Sequence, residues 1–347
     1  MKRRTVTSLL SVAALLLCGL GCASASAQGN GTDAEPYLIG TKEQLLSFAR
    51  CIASGNTFYY ANGTCVSEEP SSGNYSTVAA HGEGVYFQLS ADISLNEGAV
   101  AVCHGVIDPA WTLWPETGTF KGNFNGNGHY VKGLCIRRSE SAEGVGFFSR
   151  VEGHVAVLNF AIVDAYIEGG NSVGGIAGQF AGDSIVGCIF DGTIRTDGDR
   201  VGSLVGEVQR NATVMGCYTT GHLNCGGHYI GGMVGKVANG TVRHCWTTVI
   251  LRTSDVVGQA LTPDGPMRGG IGSEEYIKSH HVGAIYGNIP DTLYHQLWSY
   301  LPSRDSIRVD TCFFDRQMTD LPDIPGTPTN GDTTRMRATI GCKSVRT

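Results

Sequence analysis

The sequence predicts an all-β fold, a right-handed parallel β-helix, and three observations carry this prediction. The motif Val-Gly-Gly-aliphatic-x-Gly, or a shortened copy of it, starts at four positions 28 or 29 residues apart: Val145, Val173, Val201 and Ile230. A second motif ends at the same period in Cys188, Cys217 and Cys245. The repeat unit combines high glycine content with short Val/Ile-rich runs. This pattern is typical of stacked coils of strands, whose connections are right-handed.

Residues at the same position of successive coils are expected to stack in columns. One predicted inward column is aliphatic and contains Val157, Ile185, Val214 and Val242. The neighbouring predicted column contains Phe160, Cys188, Cys217 and Cys245. A free cysteine packs as a small apolar residue, and no Cys-x-x-Cys or His-x-x-x-His spacing lies beside these cysteines. We therefore expect buried thiols rather than metal ligands.

Residues 1–27 have the three parts of a secretory signal peptide. A basic start is followed by an apolar stretch from Leu9 to Leu17 and by the small-residue cleavage site Ala25-Ser-Ala27. Lipid anchoring through Cys22 ranks second, because Gly19 stands where a lipoprotein signal needs a large aliphatic residue. The sequence thus predicts an exported protein, at the cell surface or extracellular.

The charge of the chain argues against two classes of partner. Removing residues 1–27 takes away three basic residues and leaves 22 basic against 31 acidic residues, a net charge of −9. Nucleic acid and anionic membranes are therefore poor partners. No other stretch approaches the ~20 apolar residues of a membrane span. The expected partner is a ligand on a host or bacterial surface, either a glycan or a protein.

The region before the repeats, residues 28–118, is predicted to cap the first coil. A short strand at Tyr37–Ile39 precedes a capping box, in which Thr41 caps a helix and Gln44 bonds back to Thr41. The helix presents one apolar face, made of Leu45, Phe48, Ala49 and Ile52. Residues 119–320 are predicted to form the β-helix repeat domain, and residues 321–347 an irregular tail.

Ten cysteines follow the predicted cleavage site, and export permits disulfides. Cys51 and Cys65 flank a polar loop, so a bridge between them is the first expectation. Cys103 and Cys135 form the second candidate pair. The sequence alone does not determine the connectivity.

The order of these motifs resembles the GLUG repeat of bacterial surface and adhesin-like proteins, a repeat also found beside IgA-peptidase domains. The resemblance covers the Val-Gly-Gly-aliphatic-x-Gly series and the Val-x-x-Cys-Tyr/Trp series. It extends to Phe120-Lys-Gly-Asn-Phe-Asn-Gly-Asn-Gly-His129 and Cys312-Phe-Phe-Asp-Arg-Gln-Met318, across roughly residues 30 to 320. It implies a β-helical, surface-associated protein.

Motifs for catalysis are missing from the sequence. There is no His-Glu-x-x-His zinc motif or Gly-x-Ser-x-Gly elbow, and the adjacent His280 and His281 would point to opposite faces of a strand. Charged residues that could act on a glycan lie near coil edges, where turns favour aspartate anyway: Asp183, Asp191, Asp197, Asp199, Arg195 and Arg200. We therefore predict no catalytic residue, no metal ligand and no cofactor.

The predicted function is that of a non-catalytic exported protein, which adheres or binds a ligand through one face of the β-helix. The alternative is a glycan-active β-helix enzyme, either a polysaccharide lyase or a glycoside hydrolase.

Overall fold

The structure, a computed structural model, describes residues 29–253, 282–283, 307–310, 312–314 and 337–338. The predicted signal peptide with Cys22, and the pair His280 and His281, lie outside these residues.

Two long parallel sheets run along the molecule. Sheet 1 has eight strands in the order Tyr37–Ile39, Tyr86–Leu89, Asn123–Asn125, Ala156–Leu158, Ser184–Val186, Ala212–Met215, Gly240–Arg243 and Ile307–Asp310. Sheet 2 has ten strands, and eight of them follow each other in the order Ile93–Ser94, Tyr130–Lys132, Ala161–Glu168, Ile189–Thr196, Tyr218–Cys225, Trp246–Thr247, Phe313–Phe314 and Arg337–Ala338. Two further strands join sheet 2, Cys135–Arg137 beside Ala161–Glu168 and Ile250–Thr253 beside Tyr218–Cys225.

Two shorter parallel sheets complete each coil. Sheet 3 contains Glu143–Val145, Asn171–Val173, Val201–Gly202, Ile230–Gly231 and Val282–Gly283. Sheet 4 contains Thr119–Phe120, Phe148–Glu152, Ala177–Ala181, Val205–Val208 and Val234–Val237. From residue 143 onward the chain visits sheets 3, 4, 1 and 2 in turn and then starts the next coil. This winding confirms the predicted parallel β-helix.

The strand register confirms the predicted period. Val145 pairs with Val173, Val173 with Val201, and Val201 with Ile230. Ile230 then pairs with Val282, so the longer spacing before this strand accommodates an insertion without changing the register.

Strand pairing reaches beyond both ends of residues 119–320. Sheet 1 begins with Tyr37–Ile39 and Tyr86–Leu89, which lie in the segment predicted as a cap. Within the predicted tail, Arg337–Ala338 pairs with Phe313–Phe314. The loops between the early strands vary in length, so these coils show no sequence period.

The two predicted inward columns are confirmed. Val157, Ile185, Val214 and Val242 pair in register and are fully buried. The cysteine column continues to Cys312, and each thiol donates to the carbonyl of an aliphatic-column residue one coil earlier. The donor–acceptor distances are 3.6 Å from Cys188 to Val157, 3.8 Å from Cys217 to Ile185, 3.8 Å from Cys245 to Val214 and 3.6 Å from Cys312 to Val242.

Helix α1 (Lys42–Ser54) fills the N-terminal end of the core. The predicted capping box is present, because Thr41 Oγ1 accepts from the Gln44 N–H at 3.2 Å and Gln44 Oε1 accepts from the Thr41 N–H at 3.0 Å. The predicted apolar face of the helix is buried. Gly55 ends the helix in the left-handed conformation, with φ 66°.

Three smaller elements lie near this end. An antiparallel sheet contains Phe58–Ala61, Thr64–Val66 and Tyr75–Val78, and two single 3₁₀ turns lie at Ala80–Gly82 and Val100–Val102.

The last glycine of the repeat motif is required by close contact between coils. A methyl group at Gly178, Gly206 or Gly235 would overlap main-chain atoms of Val145, Ser172 and Arg200 respectively. The motif therefore marks a place where sheets 3 and 4 of successive coils are in close main-chain contact.

Candidate functional site

An apolar column lies on the outer side of sheet 2, and we call it the outer column. It consists of residues paired in register across five coils: Tyr130, Ala161, Ile189, Tyr218 and Trp246. The residues that follow each of them point into the core, because side chains alternate along a strand. Tyr130 is 38% exposed and Ile189 is 39% exposed, while the other three are half-buried. Four of the five members are large apolar residues, and Ala161 is the small one.

Hydrogen-bonding groups flank the outer column. Two residues further along the strands, Lys132 pairs with Val163 and Asp191 pairs with Thr220. The Tyr218 hydroxyl lies 3.0 Å from the hydroxyl of Thr248. A ligand lying along this side of sheet 2 would therefore meet apolar surface and polar groups side by side.

A β-bulge brings a second carboxylate to Asp191. The register between Ala161–Glu168 and Ile189–Thr196 shifts between Ile162 and Ala165, so that two residues of one strand oppose one residue of the other. Within this bulge, Asp164 adopts a positive φ of 53°, a conformation that aspartate tolerates better than most residues. Its Oδ1 accepts a hydrogen bond from the Ala101 N–H at 2.8 Å.

The surroundings of Asp191 perturb its pKa. Burial raises the pKa of the Asp191 carboxyl, and the charge of Asp164 raises it further. A main-chain hydrogen bond from Asp164 and the nearby His222 act in the opposite direction. Asp164 and Asp191 are neighbouring carboxyl groups, and glycoside hydrolysis uses two carboxyl groups.

A loop covers the part of sheet 2 next to the outer column. We call residues 95–118 the cover loop; Val100 and Cys103 within it pack on Cys135 and Tyr166 of the sheet. Arg137 Nη2 donates to the Gly105 carbonyl at 3.4 Å. Burial beneath the loop raises the pKa of Tyr166 to about 12, with the charge of Glu168 as the next cause. The bond from Ala101 to Asp164 places the edge of the loop beside the carboxylate pair.

Sheet 4 carries a polar surface whose charged side chains form ion pairs with one another. Arg150, Gln179, Glu207 and Lys236 follow each other in register. Glu207 lies 3.4 Å from Lys236 and 3.6 Å from Arg200, and Arg200 also contacts Glu143 at 3.0 Å. Since these charges neutralise each other between coils, this surface has little charge left to offer a ligand.

The structure separates the four aspartates that the sequence singled out. Asp183 is exposed, at 3.4 Å from the side chain of His154, and Asp197 is exposed at a turn. Asp199 Oδ1 accepts from the His228 N–H at 2.8 Å and therefore orders a turn between coils. Only Asp191 joins the outer side of sheet 2 beside the outer column.

The two arginines named with them lie beside glutamates rather than beside these aspartates. Arg195 lies opposite Glu168 in sheet 2, and Arg200 contacts Glu143. The Gly-Asn segment before the repeats orders the chain locally, because Asn123 Oδ1 accepts from the Ala156 N–H and Asn125 Oδ1 from the Asn127 N–H, both at 2.8 Å.

Two further kinds of site were searched for among the described residues. No group of three or more His, Cys, Asp or Glu side chains there is arranged to hold a metal ion. Over the same part of the chain, no helix has the length and apolarity that crossing a membrane requires.

Comparisons with known proteins give a partial picture. No protein-family model matches the chain, so the GLUG resemblance stays a prediction. Halomucin of Haloquadratum walsbyi is 32% identical over 132 residues, which are 38% of this chain and 1% of halomucin. The chain thus spans about a hundredth of that relative's length.

One solved structure matches the chain in part. It is described as a "putative immunoglobulin A1 protease" from Bacteroides ovatus, with a TM-score of 0.45 and 16% identity over 84% of this chain and 78% of that one. The fold assignment rests on the strand pairing of the present chain.

Sequence reasoning missed the outer column and Asp164. The signal for the column was present, since Ala161, Ile189, Tyr218 and Trp246 each directly follow an inward residue of the cysteine column. Asp164 had no comparable signal, because it joins Asp191 only through the bulge.

Proposed function

We propose that this chain is an exported surface or extracellular protein without catalytic activity, and that it binds an uncharged glycan along the outer column. The single observation that supports this proposal most is the continuous apolar column on five coils, flanked by hydroxyl and carboxylate groups. Partly exposed apolar surface that continues over several coils is a candidate interaction site.

The chemistry of the outer column favours a glycan over a folded protein. Sugar rings have apolar C–H faces that pack on aromatic rings, and hydroxyls around their edges that need hydrogen-bond partners. Tyr218 and Trp246 supply flat apolar surfaces. Thr220, Asp191 and Lys132 supply donors and acceptors beside them. The acidic net charge disfavours a polyanionic glycan.

The test is a glycan and matrix-protein array probed with the purified chain. We expect saturable binding to uncharged glycans that changes little between low and high salt, because few charges take part. Binding should weaken a few-fold in Ile189→Ser and by at least about tenfold in the double variant Ile189→Ser/Tyr218→Ala, since many weak contacts add along a solenoid.

The matched control is Val186→Ser, which changes a half-buried outward residue of the same coil on sheet 1. This variant should bind like the wild type. Equal binding by the wild type and the double variant would refute a role for the outer column, and binding to matrix proteins alone would refute the glycan.

A second candidate function is that of a glycan-active enzyme, and Asp164 with Asp191 is the observation that favours it. A reducing-sugar assay and an assay for unsaturated products would test this candidate. Turnover that disappears in Asp191→Asn while glycan binding persists would establish catalysis and overturn the non-catalytic proposal.

A further inference from the structure

Two pairs of cysteines meet in the structure, and both lie outside the cysteine column. All nine described cysteines are free thiols. The helix pair consists of Cys51 and Cys65, and the loop pair consists of Cys103 and Cys135.

The helix pair is brought together by α1 and an adjacent strand. Ser47, one helical turn before Cys51 on the same face of α1, donates its hydroxyl to the Cys65 carbonyl at 2.5 Å. Cys51 and Cys65 belong to one core cluster and are 3% and 1% exposed. Burial raises the pKa of the Cys65 thiol, and the neighbouring Cys51 raises it further.

The loop pair joins the cover loop to sheet 2. Cys135 points outward from its strand and forms a small buried cluster with Val100 and Tyr166. Cys103 packs on this cluster from the cover loop and is only half-buried. The Trp114 N–H donates to the Cys135 carbonyl at 2.8 Å, so the far end of the loop returns to the same strand.

The cysteine column differs from both pairs. Its thiols already donate hydrogen bonds to carbonyls of the preceding coil. Joining two of them would break these bonds and would need a disulfide dihedral that strands held in parallel register rarely supply.

We propose that the helix pair and the loop pair are sites of disulfide formation, whereas Cys188, Cys217, Cys245 and Cys312 stay reduced. The loop-pair bridge fastens the cover loop beside the outer column, so oxidation holds the edge of the proposed ligand site in place. The presence of an oxidant rests on the proposed function, because it requires export of the chain. The choice of the two pairs rests only on where the cysteines lie in the structure.

Each bridge forms by thiol–disulfide exchange with a protein or small-molecule disulfide. One cysteine loses its proton and its thiolate attacks the oxidant, which releases one oxidant thiol and leaves a mixed disulfide. The second thiolate then attacks this mixed disulfide and releases the other oxidant thiol. Two protons and two electrons leave the protein, and the oxidant is reduced to two thiols.

The pairs should differ in rate. The thiolate is the attacking species, and burial raises the pKa of Cys51 to about 11. Cys103 is the most accessible of the four thiols. In folded, reduced protein the loop pair should therefore oxidise before the helix pair.

The test uses the purified full chain, reduced, folded and then exposed to glutathione disulfide. Free thiols are alkylated at time points after denaturation, and the chain is cleaved with trypsin and a glutamate-specific protease. Cleavage separates the pairs, because Cys51 and Cys65 share the peptide 51–68 while Cys103 and Cys135 fall in 98–116 and 133–137. We expect peptide 98–116 to become linked to peptide 133–137 first. Peptide 51–68 should then lose two hydrogens as its own disulfide forms.

Two variants keep the result interpretable. Cys103→Ser replaces a half-buried side chain, so the fold should persist, Cys135 should become alkylatable, and 51–68 should still oxidise. Cys225→Ser changes a buried cysteine outside both pairs and the column, and both bridges should form.

A further readout follows the cover loop. Native cleavage at Glu97 and Glu116 by the glutamate-specific protease should be about tenfold faster in reduced protein or in Cys103→Ser, because local opening governs such cleavage. Three outcomes would overturn the proposal: all four cysteines are recovered as alkylated thiols, the two pairs exchange partners, or bridges form within the cysteine column. Because the oxidant is added, these outcomes do not depend on export or on glycan binding.

Discussion

The N-terminal end and the repeat coils fill one continuous core in different ways. At the N-terminal end, aromatic rings pack edge-to-face and stacked at centroid distances from 4.6 to 6.5 Å, and they come from Phe48, Phe87, Phe120, Phe124, Phe147, Phe148 and Phe160. In the later coils the core consists mainly of valine, isoleucine, leucine and cysteine, repeated in register.

The difference shows what a solenoid needs at an end and in its middle. A middle coil is covered by identical neighbours, so small residues in fixed columns fill a constant cross-section. The first coil has no preceding neighbour, and helix α1 together with the aromatic rings of nearby strands fills the open end instead. The stability of the N-terminal end therefore depends on the volume of its side chains. The stability of the repeat coils depends on the register between them.

The largest expected effect concerns the core of the repeat coils. Cys217→Asp places a carboxyl group between two coils without a charged partner, and it should cost more than about 4 kcal/mol of unfolding free energy. The introduced carboxyl group is disfavoured when ionised, so the loss should grow as the pH rises above about 4. Thermal unfolding at pH 4 and pH 7 measures this. Cys217→Ala is the control and should cost much less. Equal melting temperatures for wild type and Cys217→Asp would show that the cysteine column faces solvent.

The second prediction compares volume at the two regions directly. Phe48→Ala removes a ring that contacts four other rings and should cost about 3–5 kcal/mol. Val214→Ala in the repeat coils should cost roughly 2 kcal/mol, because two methyl groups leave the core. Denaturant unfolding of both variants measures the ratio. A larger loss for Val214→Ala would contradict the view that the end depends on volume.

The third prediction tests register. Gly206→Ala puts a methyl group against main-chain atoms of Ser172 and should cost about 1–3 kcal/mol, because the coils must move apart. Ser203→Ala, in the same motif, is the control, since its position already holds a side chain. Melting temperatures give the comparison, and a neutral Gly206→Ala would show that the coils are not in close contact there.

The smallest expected effect concerns the helix that covers the end. Thr41→Ala removes the hydroxyl that accepts from the Gln44 N–H and should cost about 1 kcal/mol. Thr41→Ser keeps a hydroxyl and should cost little. Denaturant unfolding measures both, and equal losses would show that the capping bond does not stabilise α1.

Much of the fold could be predicted because its signals are local. The period, the inward aliphatic and cysteine columns and the capping box of α1 all appear as spacings within the chain, and the structure confirms each of them. The early rungs of sheet 1 could not be predicted as part of the array. Helix α1 and the antiparallel sheet lie between Tyr37–Ile39 and Tyr86–Leu89, so the pairing of these two strands leaves no period.

The candidate site was predicted less well than the fold. Asp191 was singled out as a charged residue near a coil edge, but its neighbours Asp164 and His222 were not. Three of the four named aspartates serve turns or the exposed surface, which the preference of turns for aspartate had suggested.

The sequence by itself determined which residues point inward and how far apart the coils begin, since both depend on spacing along one strand or one repeat. Only the tertiary structure decided which residues meet across coils. The outer column, the bulge that joins Asp164 to Asp191, and the two cysteine pairs all depend on pairing between segments far apart in the chain. Such pairing follows from the packing of the whole coil, and spacing within one segment does not encode it.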